Sequence, residues 1–573
     1  MLKYATKLIQ KTRSINVNLD EIPTDDEKTL GLWQSGMTEG IFQFDAPFVQ
    51  QTLRKMHPTN FLEISALNAL NRPGPIAFIP QFIARMHGEE PIEYVHPRAE
   101  PILKESYGII VYQEQVMQLT RALAGFTRGE SDTVRKAMGK KKLDLLAKLE
   151  VKFLEGCKAE GTLDEVTAKD LWEKFKEFAK YAFNKSHAIA YSIVANQCAY
   201  LKAHYTPEFL AASMSSNMND TDQLALFVDD AKSNFGIQIV PPDINKSESL
   251  FTVDGGKIIY ALAAIKGVGV AATDAIIAER AKGKFKNMTD FAKRCAPIMN
   301  KRILEAFAKV GVLDSINPNR AEIFMNADMI LSYAAKSKDS ANMLSLFANT
   351  VEDDVAEDRL AKNLVKTEPW TFGQKLENEL SALGFYISAH PLDQYKHLIA
   401  GANLATSAKI MEMPDRANVR IAANVNSYSQ RRTKAGKDMI TINASDGFGN
   451  IDAVAFGDAV ATLAPILATE NEVVISGRLS NRDDRVSVFV DSIMPLAQWV
   501  AKIAKKITLD IREKSVLADV KKALATLPAG GTRVALNLYS GDKKTTMELR
   551  GGVELGKNTI GDFTGLGIKV TIE

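Results

Sequence analysis

The first half of the chain repeats apolar residues at three- and four-residue steps, the pattern of amphipathic helices. One such run is ended by Pro207 and a second precedes Gly236. The apolar residues of these runs are Tyr191, Val194, Cys198, Leu201 and Tyr205, followed by Leu224, Phe227, Val228 and Ala231. From Lys257 to Lys309, short helical patterns are separated by glycines. We therefore predict a mainly helical region over about the first 250 residues, with short helices beyond it.

After Pro414 the period changes from helix to strand. Apolar residues alternate with others in two runs, Val419, Ile421, Ala423 and Val425 and then Val486, Val488 and Val490, the latter interleaved with Ser487 and Phe489. Several short strands and one helical stretch, Ala459–Leu467, predict a small, partly closed β-barrel. A strand at Ile507–Ile511, a helix to about Leu527 and two strands ending at Ile572 predict a small α/β unit at the C-terminus.

Composition narrows the class of protein without naming a partner. The chain has 573 residues, 46% hydrophobic and 24% charged, which predicts several globular domains and no transmembrane helix. Seventy-one Lys and Arg against sixty-nine Asp and Glu leave a net charge of +2, so any nucleic-acid site must be a local basic patch. Cys157, Cys198 and Cys295 lie far apart without metal-ligand spacing, which favours a reducing compartment and argues against structural zinc.

A dense group of cations lies around Gly139 in the helical half. Its members are Arg135, Lys136, Lys140, Lys141 and Lys142. Like charges this close repel one another unless an anion or solvent compensates, so phosphates are a natural partner. A solvated helix face explains the same pattern equally well.

Two further segments offer cations at positions suited to anions. Lys185 and His187 lie at the predicted start of a helix, where unpaired N–H groups and the helix dipole favour negative charge. A lone histidine at such a position is more often a capping or packing residue, which is the alternative for His187. Arg72 lies in the turn Asn71–Pro75, whose prolines would hold its guanidinium for bidentate phosphate recognition, although a surface turn with a solvated arginine fits as well.

A glycine pair in the segment Lys266, Gly267, Val268 and Gly269 precedes a helical run. This is the form of a helix-hairpin-helix, in which a Gly-x-Gly turn lets backbone amides approach a DNA phosphate without regard to base sequence. A weaker second copy is predicted over Arg302–Leu313, with Gly311 in its turn.

Catalytic groups are scarce. The Asp-x-Asp pair, Asp220 and Asp222, directly precedes a helix, where Asp220 is expected as an N-terminal cap rather than a metal ligand. The chain contains no GxSxG, HExxH or Walker sequence. The sequence by itself therefore identifies no catalytic residue.

Several motifs occur together in a fixed order. They are Gly40–Asp45 (GIFQFD), Asn71–Pro75 (NRPGP), Tyr107–Met117 (YGIIVYQEQVM), Arg135–Lys142 (RKAMGKKK), Tyr181–His187 (YAFNKSH), Lys202–Tyr205 (KAHY), Pro241–Asn245 (PPDIN), Ala264–Gly269 (AIKGVG) and Leu383–Leu392 (LGFYISAHPL). This series closely resembles the fingers region and the segments that follow it in C-family replicative DNA polymerases of bacteria, the polymerase III α subunits. The resemblance covers about the first 500 residues.

The resemblance implies a multidomain, mainly α-helical protein with fingers and a helix-hairpin-helix region, then an OB-fold β-barrel and a small α/β C-terminal domain. The expected domains are the end of the palm (1–38), fingers (39–250), tandem helix-hairpin-helix (251–335), a linker with a helical segment (336–415), the OB-fold (416–497) and the C-terminal domain (498–573).

The resemblance also implies roles for individual residues. Those expected near nucleotide phosphates or DNA are Arg72, Arg135, Lys136, Lys140, Lys141, Lys142, Lys185 and His187, with Lys266, Gly267 and Gly269 in the DNA-binding hairpin. Single-stranded template would contact Tyr428, Arg431, Arg432, Lys434 and Phe456 in the barrel. A sliding-clamp motif is expected at Met343, Leu344, Ser345, Leu346 and Phe347, where Met343 replaces the glutamine of the family's pattern.

The implied activity is addition of deoxynucleotides to a primer 3′ end. Expected partners are primer-template DNA, deoxynucleoside triphosphates, the sliding clamp, other holoenzyme subunits and the clamp-loader tau subunit, in the bacterial cytoplasm and without a membrane. The family's three metal-binding aspartates precede the segment matching Met1, so Mg²⁺ is expected only in the intact polymerase, and this chain alone is expected to be inactive. The alternatives are a non-catalytic DNA-binding or clamp-associated protein and a fragment of the error-prone C-family branch.

Overall fold

The computed structural model of the protein describes residues 1–139, 143–178, 183–333, 358–396, 399, 402, 404–433, 436–482, 485–540, 543–556 and 559–572. The chain folds as two compact units, Met1–Ser213 and Met214–Glu573. Among the described helices, none has the length and apolar content required to cross a bilayer.

The first unit is helical, as predicted. Its helices are α1 (Leu2–Arg13), α2 (Glu27–Ser35), α3 (Pro47–Met56), α4 (Phe61–Leu70), α5 (Ile79–Met86), α6 (Glu100–Leu103), α7 (Gln113–Ala124), α8 (Arg128–Gly139), α9 (Leu143–Glu160), α10 (Glu165–Phe178), α11 (Lys185–His204) and α12 (Thr206–Ser216), the last of which continues into the second unit.

Aromatic side chains fill the core beneath α7, α9 and α10. The ring of Phe153 lies 5.1 Å from Trp172 and 5.7 Å from Phe175, and all three are almost completely buried. Such rings bury large apolar areas, and each edge-on or tilted pair adds about 1 kcal/mol to the free energy of unfolding. Helix α11 ends just before Pro207, as its apolar pattern predicts.

The second unit begins with short helices around a three-stranded sheet of order β1-β3-β2. Its strands are β1 (Ile239–Val240), β2 (Thr252–Asp254) and β3 (Lys257–Ile259). The helices are α13 (Thr221–Asp229), α14 (Val270–Ala281), α15 (Met288–Cys295), α16 (Lys301–Val310), α17 (Arg320–Met325), α18 (Arg359–Asn363), α19 (Phe372–Leu383) and α20 (Ser407–Ile410). Asp220 caps α13 by accepting a hydrogen bond from Gln223 N at 3.0 Å, as the sequence predicts.

Five strands then form a closed barrel of order β4-β5-β6-β8-β7, whereas the sequence predicts a partly closed one. The strands are β4 (Asn418–Arg432), β5 (Asp438–Ser445), β6 (Asn450–Phe456), β7 (Glu472–Arg482) and β8 (Arg485–Pro495), with α21 (Asp458–Leu467) between β6 and β7. The barrel closes because β4 is long enough to pair with β5 over its second half and with β7 over its first. The interior holds the alternating apolar residues, such as Ile421, Ile442 and Val488.

The C-terminal region is an α/β unit, but it has more elements than predicted. After α22 (Leu496–Ile503) come β9 (Lys506–Ile511), α23 (Leu517–Thr526), β10 (Ala529–Ser540), β11 (Lys543–Val553), α24 (Thr559–Gly565) and β12 (Lys569–Ile572), in a sheet of order β11-β10-β9-β12. The prediction of two strands after the first helix is wrong. β11 is exposed along nearly its whole length and therefore carries no alternating apolar signal, and α24 is too short and glycine-rich to show a helical period.

The three cysteines are free and buried. Burial raises the pKa of the Cys198 thiol to about 11 and that of Cys295 to about 12. Because the thiolate is the reactive form, these side chains are packing residues.

Candidate nucleotide and nucleic-acid interfaces

A row of stacked side chains runs across the first unit at the start of α11. Tyr191 lies 4.0 Å from the His187 ring and 5.4 Å from Phe42, and His187 lies 5.5 Å from Phe183. The guanidinium of Arg72 covers the other end, 4.0 Å from the Phe183 ring centre. Arg72, His187 and Phe42 are exposed, so these residues form a surface platform, which we call the aromatic row. The structure thus brings two predicted residues, Arg72 and His187, together.

The turn that carries Phe42 is fixed by hydrogen bonds to its backbone carbonyl groups. Gln43 has a positive φ of 70°, and the Thr38 hydroxyl donates to Phe44 O at 2.5 Å, which closes the turn that presents Phe42. A buried lysine, Lys202, donates from Nζ to Glu39 O at 2.8 Å. These bonds position Phe42 against α11.

Lys185 lies beside the row with its charge already matched. Its Nζ is 2.6 Å from a carboxylate oxygen of Glu105, and its backbone N–H donates to Glu114 at 2.8 Å. Asn184 caps the helix by accepting from His187 N at 3.0 Å. The anion-binding position expected at this helix start is therefore occupied by protein carboxylates, which a phosphate would have to displace.

The predicted basic cluster is described only in part. Arg135 and Lys136 share the carboxylate of Asp132, each at 2.8 Å, within α8. Hydrogen bonds from Lys136 and Arg135 hold the pKa of Asp132 below its ordinary value. Two cations on one carboxylate leave an excess of positive charge at an exposed surface. Lys140, Lys141 and Lys142 lie outside the described residues.

The glycine turn before α14 has open backbone amides. Gly267 has a φ of 86°, and a Cβ built there would lie 2.6 Å from Nε of Arg302. Among the described residues, the N–H groups of Gly267 and Gly269 have no hydrogen-bond partner. Lys266 is exposed beside them. Two free amides near Lys266 and Arg302 are the groups that a sequence-independent phosphate contact requires.

Gly311 does not repeat this arrangement. It caps the C-terminus of α16 with a φ of 76°, and its N–H is bonded to the helix carbonyl of Ala308. A Cβ there would collide with the Arg320 side chain, which covers the glycine. The Gly311 amide therefore offers no free N–H to a phosphate, and the second helix-hairpin-helix copy over Arg302–Leu313 stays a prediction.

The barrel residues predicted to bind single strands lie on two faces. Arg431 is in register with Met439, which pairs with Phe456, so Arg431 and Phe456 share the outer face. Tyr428 pairs with the core residue Ile442 and therefore lies on the opposite face.

A bulge in β4 places Tyr428 and Arg431 on opposite faces of the strand. Pairing skips Asn426 between Val425 and Ser427, which inverts the alternation of the strand after that point. Arg432, beyond the bulge, is paired with Asp438 at 3.0 Å on the same face as Tyr428. Lys434 lies outside the described residues.

A groove of about 660 Å³ lies beside Phe456 on the outer face of the barrel. Phe489 lines it 5.9 Å from the Phe456 ring, and Arg478 projects from the neighbouring strand with 61% of its side chain exposed. Asp491 is 3.5 Å from Arg478. Two aromatic rings and an arginine suit the stacking of bases and contact with a phosphate. We call this site the barrel groove.

Sequence reasoning missed Phe489 and Arg478. The signal was available, because Val486, Val488 and Val490 occupy the core positions and leave Phe489 on the solvent side of β8. Phe489 contributes to a binding surface because the Phe456 ring lies beside it, so the two rings form one apolar patch.

Comparison with known families gives the same order of elements. Residues 1–161 match the bacterial DNA polymerase III alpha subunit finger domain, residues 236–323 match a helix-hairpin-helix motif, and residues 419–496 match an OB-fold nucleic acid binding domain. Over 560 residues the chain is 34% identical to the DNA polymerase III subunit alpha of Caulobacter vibrioides, a match that covers 96% of this chain and 48% of the relative. The chain matches the C-terminal portion of bacterial DNA polymerase III α subunits.

Two further α subunits give similar matches. The chain is 35% identical over 588 residues to that of Aquifex aeolicus, covering 100% of this chain and 48% of the relative, and 33% identical over 530 residues to that of Bacillus subtilis, covering 91% and 47%. The chain spans about half the length of these α subunits. The family resemblance drawn from the ordered motifs and the predicted fold class are confirmed.

Proposed function

We propose that this chain forms the nucleotide- and DNA-binding part of a DNA-directed DNA polymerase of the replicative α-subunit class. The reaction is addition of deoxynucleotides to a primer 3′ end, directed by a template. The observation that carries the proposal is the presence, in one chain, of the fingers with their aromatic row, a glycine turn with two open amides and the barrel groove.

Each surface suits one part of the substrate. The aromatic row offers ring faces to a base or base pair, and Arg72 at its end offers a cation to the incoming nucleotide's phosphates. The amides of Gly267 and Gly269 suit a backbone phosphate of duplex DNA. The barrel groove suits unpaired template bases, which stack on Phe456 and Phe489 while Arg478 contacts phosphate.

The magnesium ions of such a reaction need clustered carboxylates. Within the described residues, no group of three or more Asp, Glu, His or Cys side chains could hold a metal ion. The proposal therefore assigns Mg²⁺ no ligand in the described part of this chain. The cations at the aromatic row bind and orient phosphates rather than activate the primer hydroxyl.

We extend the proposal to other replication proteins. Leu346 and Phe347 of the clamp-like motif would be buried in a pocket of the sliding clamp as anchor residues. The motif Met343–Phe347 lies outside the described residues, so its support is the sequence alone. Contact of the C-terminal unit with the clamp-loader tau subunit rests on the family resemblance.

Primer extension tests the proposed activity. The chain is assayed with Mg²⁺, deoxynucleotides and a primed template, alone and mixed with a separately expressed palm-containing chain of the same family. We expect extension in the mixture, and a mixture containing an Arg72→Ala chain should require a higher nucleotide concentration. Equal extension by the palm-containing chain with and without this chain would contradict the proposal.

Two alternative functions can be distinguished by DNA binding, nucleotide KM and misincorporation. A non-catalytic DNA-binding or clamp-associated protein would bind primed DNA or clamp but would not change the nucleotide KM of the palm-containing chain. A member of the error-prone branch would extend past template lesions with a high misincorporation rate. Binding of the clamp is expected to be lost when Leu346 and Phe347 are both replaced by Ala.

A further inference from the structure

The C-terminal sheet packs one face on an apolar core and carries charged residues on the other, where the centre of β10 is buried and the flanking positions are exposed. Val534, Leu536 and Leu509 point into a core shared with Trp499 of α22 and Phe563 of α24. Because side chains alternate along strands, the residues between these positions lie on the other face. That second face, which we call the open sheet face, is unrelated to the residues assigned above.

Strand register identifies the residues of the open sheet face. Arg533 is opposite Lys506, and Asn537 is opposite Asp510 on β9 and Thr546 on β11. Lys569 of β12 is also opposite Asp510. The charged members of the face are Lys506, Asp510, Arg512, Arg533, Lys544, Glu548 and Lys569.

Positive charge predominates on this face. The acids are engaged, since Glu548 is 2.7 Å from Lys506 and Asp510 accepts a hydrogen bond from Asn537 at 2.6 Å. Arg533, Lys544 and Lys569 are exposed and have no acidic side chain within ion-pair distance among the described residues. These three unpaired cations lie on three different strands, so the positive charge extends across the sheet.

One aromatic residue lies within this charge. Tyr539 of β10 is half-buried, and the guanidinium of Arg512 lies 5.2 Å from its ring centre. The neighbouring Leu538 and Ile511 are in register, which places Tyr539 and Arg512 side by side at the end of the two central strands. A tyrosine and arginine stacked on a β-sheet, with cations on the flanking strands, are the groups by which sheet surfaces bind unpaired bases and their backbone.

We propose that the open sheet face of the C-terminal unit is a second binding surface for single-stranded nucleic acid, separate from the barrel groove. Arg533, Lys544 and Lys569 contact successive phosphates, and a base stacks on the Tyr539–Arg512 pair. The charge complementarity favours a polyanion, and the stacked pair favours one that carries planar bases over an acidic polypeptide.

Crosslinking locates the contact in the full chain. A labelled oligothymidylate carrying 5-iodouracil is irradiated with the protein, and the crosslinked peptides are identified by mass spectrometry. We expect a crosslink at Tyr539. The triple variant Arg533→Gln, Lys544→Gln, Lys569→Gln should lose it. A wild-type chain that crosslinks at other aromatic residues but not at Tyr539 would overturn the proposal.

A matched variant distinguishes binding at the open sheet face from a general effect of positive charge. Lys502, Lys514 and Lys521 are exposed lysines of the same unit at other positions, so replacing all three by Gln removes equal charge. Affinity is measured in a Phe456→Ala, Phe489→Ala background, so that the barrel groove does not mask the effect.

We expect the open-face triple to reduce the salt slope of oligothymidylate binding by about two and the matched triple to leave it unchanged. Equal losses in the two triples would overturn the proposal. Polyglutamate binding that the open-face triple abolishes, with oligothymidylate binding unchanged, would assign the face to an acidic protein and would also overturn it.

Discussion

The aromatic row and the barrel groove both combine aromatic rings with cations, but they differ in how the cations are engaged. Beside the row, Lys185 is held by Glu105 at 2.6 Å, so an incoming phosphate must displace a carboxylate. In the groove, Arg478 is largely exposed, and its distance to Asp491 is longer, at 3.5 Å. Two aromatic rings line an open space of about 660 Å³ beside it. The row is therefore suited to selective binding of a strongly charged ligand, and the groove to stacking of any base.

The largest effect is expected in the barrel groove. Replacing Phe456 and Phe489 by Ala should weaken oligothymidylate binding by about 30-fold, since each stacked base contributes roughly 1–3 kcal/mol. Fluorescence anisotropy measures the affinity. Tyr428→Ala is the control, because Tyr428 is as exposed as Phe456, at 41% and 43%, but lies on the opposite face of the sheet. Equal losses from the two faces would show that the groove is not the site.

A smaller effect is expected at the end of the aromatic row. Arg72→Ala should weaken binding of inorganic triphosphate by about tenfold, because it removes a guanidinium held on Phe183. Arg72→Lys should recover only part of the affinity, since an ammonium lacks the planar fork. Calorimetry with triphosphate measures both. Arg98→Ala removes a half-exposed arginine paired with Glu160 and should have no effect.

The ion pair between Lys185 and Glu105 can be tested directly. Glu105→Gln should increase triphosphate affinity by about threefold, because it frees Lys185 from a partly exposed ion pair worth at most about 1 kcal/mol. The dependence on salt should become steeper by about one phosphate contact. Glu160→Gln is the matched control, since it breaks an ion pair away from α11. Weaker binding by the Glu105 variant would mean that this carboxylate positions Lys185 rather than competes for it.

The smallest effect is expected for the pH dependence of stability that His390 contributes beside the barrel. The Nε2 of His390 lies 3.1 Å from Ser445 Oγ, and burial lowers the pKa of His390 below its ordinary value. The nearby charged groups are Asp393, Asp446 and Lys232, of which the two acids partly oppose the effect.

The lowered pKa of His390 makes the folded protein less stable at acidic pH. The unfolded chain takes up the His390 proton first as pH falls below its ordinary pKa of about 6.5, so the fold loses stability from there downward. His390→Asn keeps a side-chain acceptor but removes this pH dependence. Thermal unfolding between pH 8 and 5 measures it. An unchanged slope in the variant would assign the pH dependence to other groups.

Sequence patterns predicted the elements whose apolar residues face one core. The helix α11, the strands of the barrel and the cap at Asp220 follow from local periodicity and capping chemistry, and all three are present. The ordered motifs also placed Arg72 and His187 in one functional region. These features depend on residues close together in the chain.

The remaining features depend on pairing between distant residues. The engagement of Lys185 by Glu105, eighty positions away, has no local signal. Neither does the contact of Arg302 with the Gly267 turn. Phe489 was visible in the alternation of β8 but acquires its meaning only when β6 brings Phe456 beside it. Local sequence patterns therefore predict which segments carry the proposed sites, whereas the arrangement of side chains on each proposed surface depends on contacts between distant segments.

The bulge at Asn426 has a consequence for divergence among relatives. If Asn426 instead paired regularly with Asn443, the register of the strand beyond it would shift by one residue. Tyr428 and Arg432 would then move to the outer face of the barrel, while Arg431 would turn inward. The amino acids of the strand would be almost unchanged, yet the side chains offered to a ligand would be exchanged. Loss of the bulge without loss of a residue can thus alter the binding specificity of a homologue more than many substitutions do.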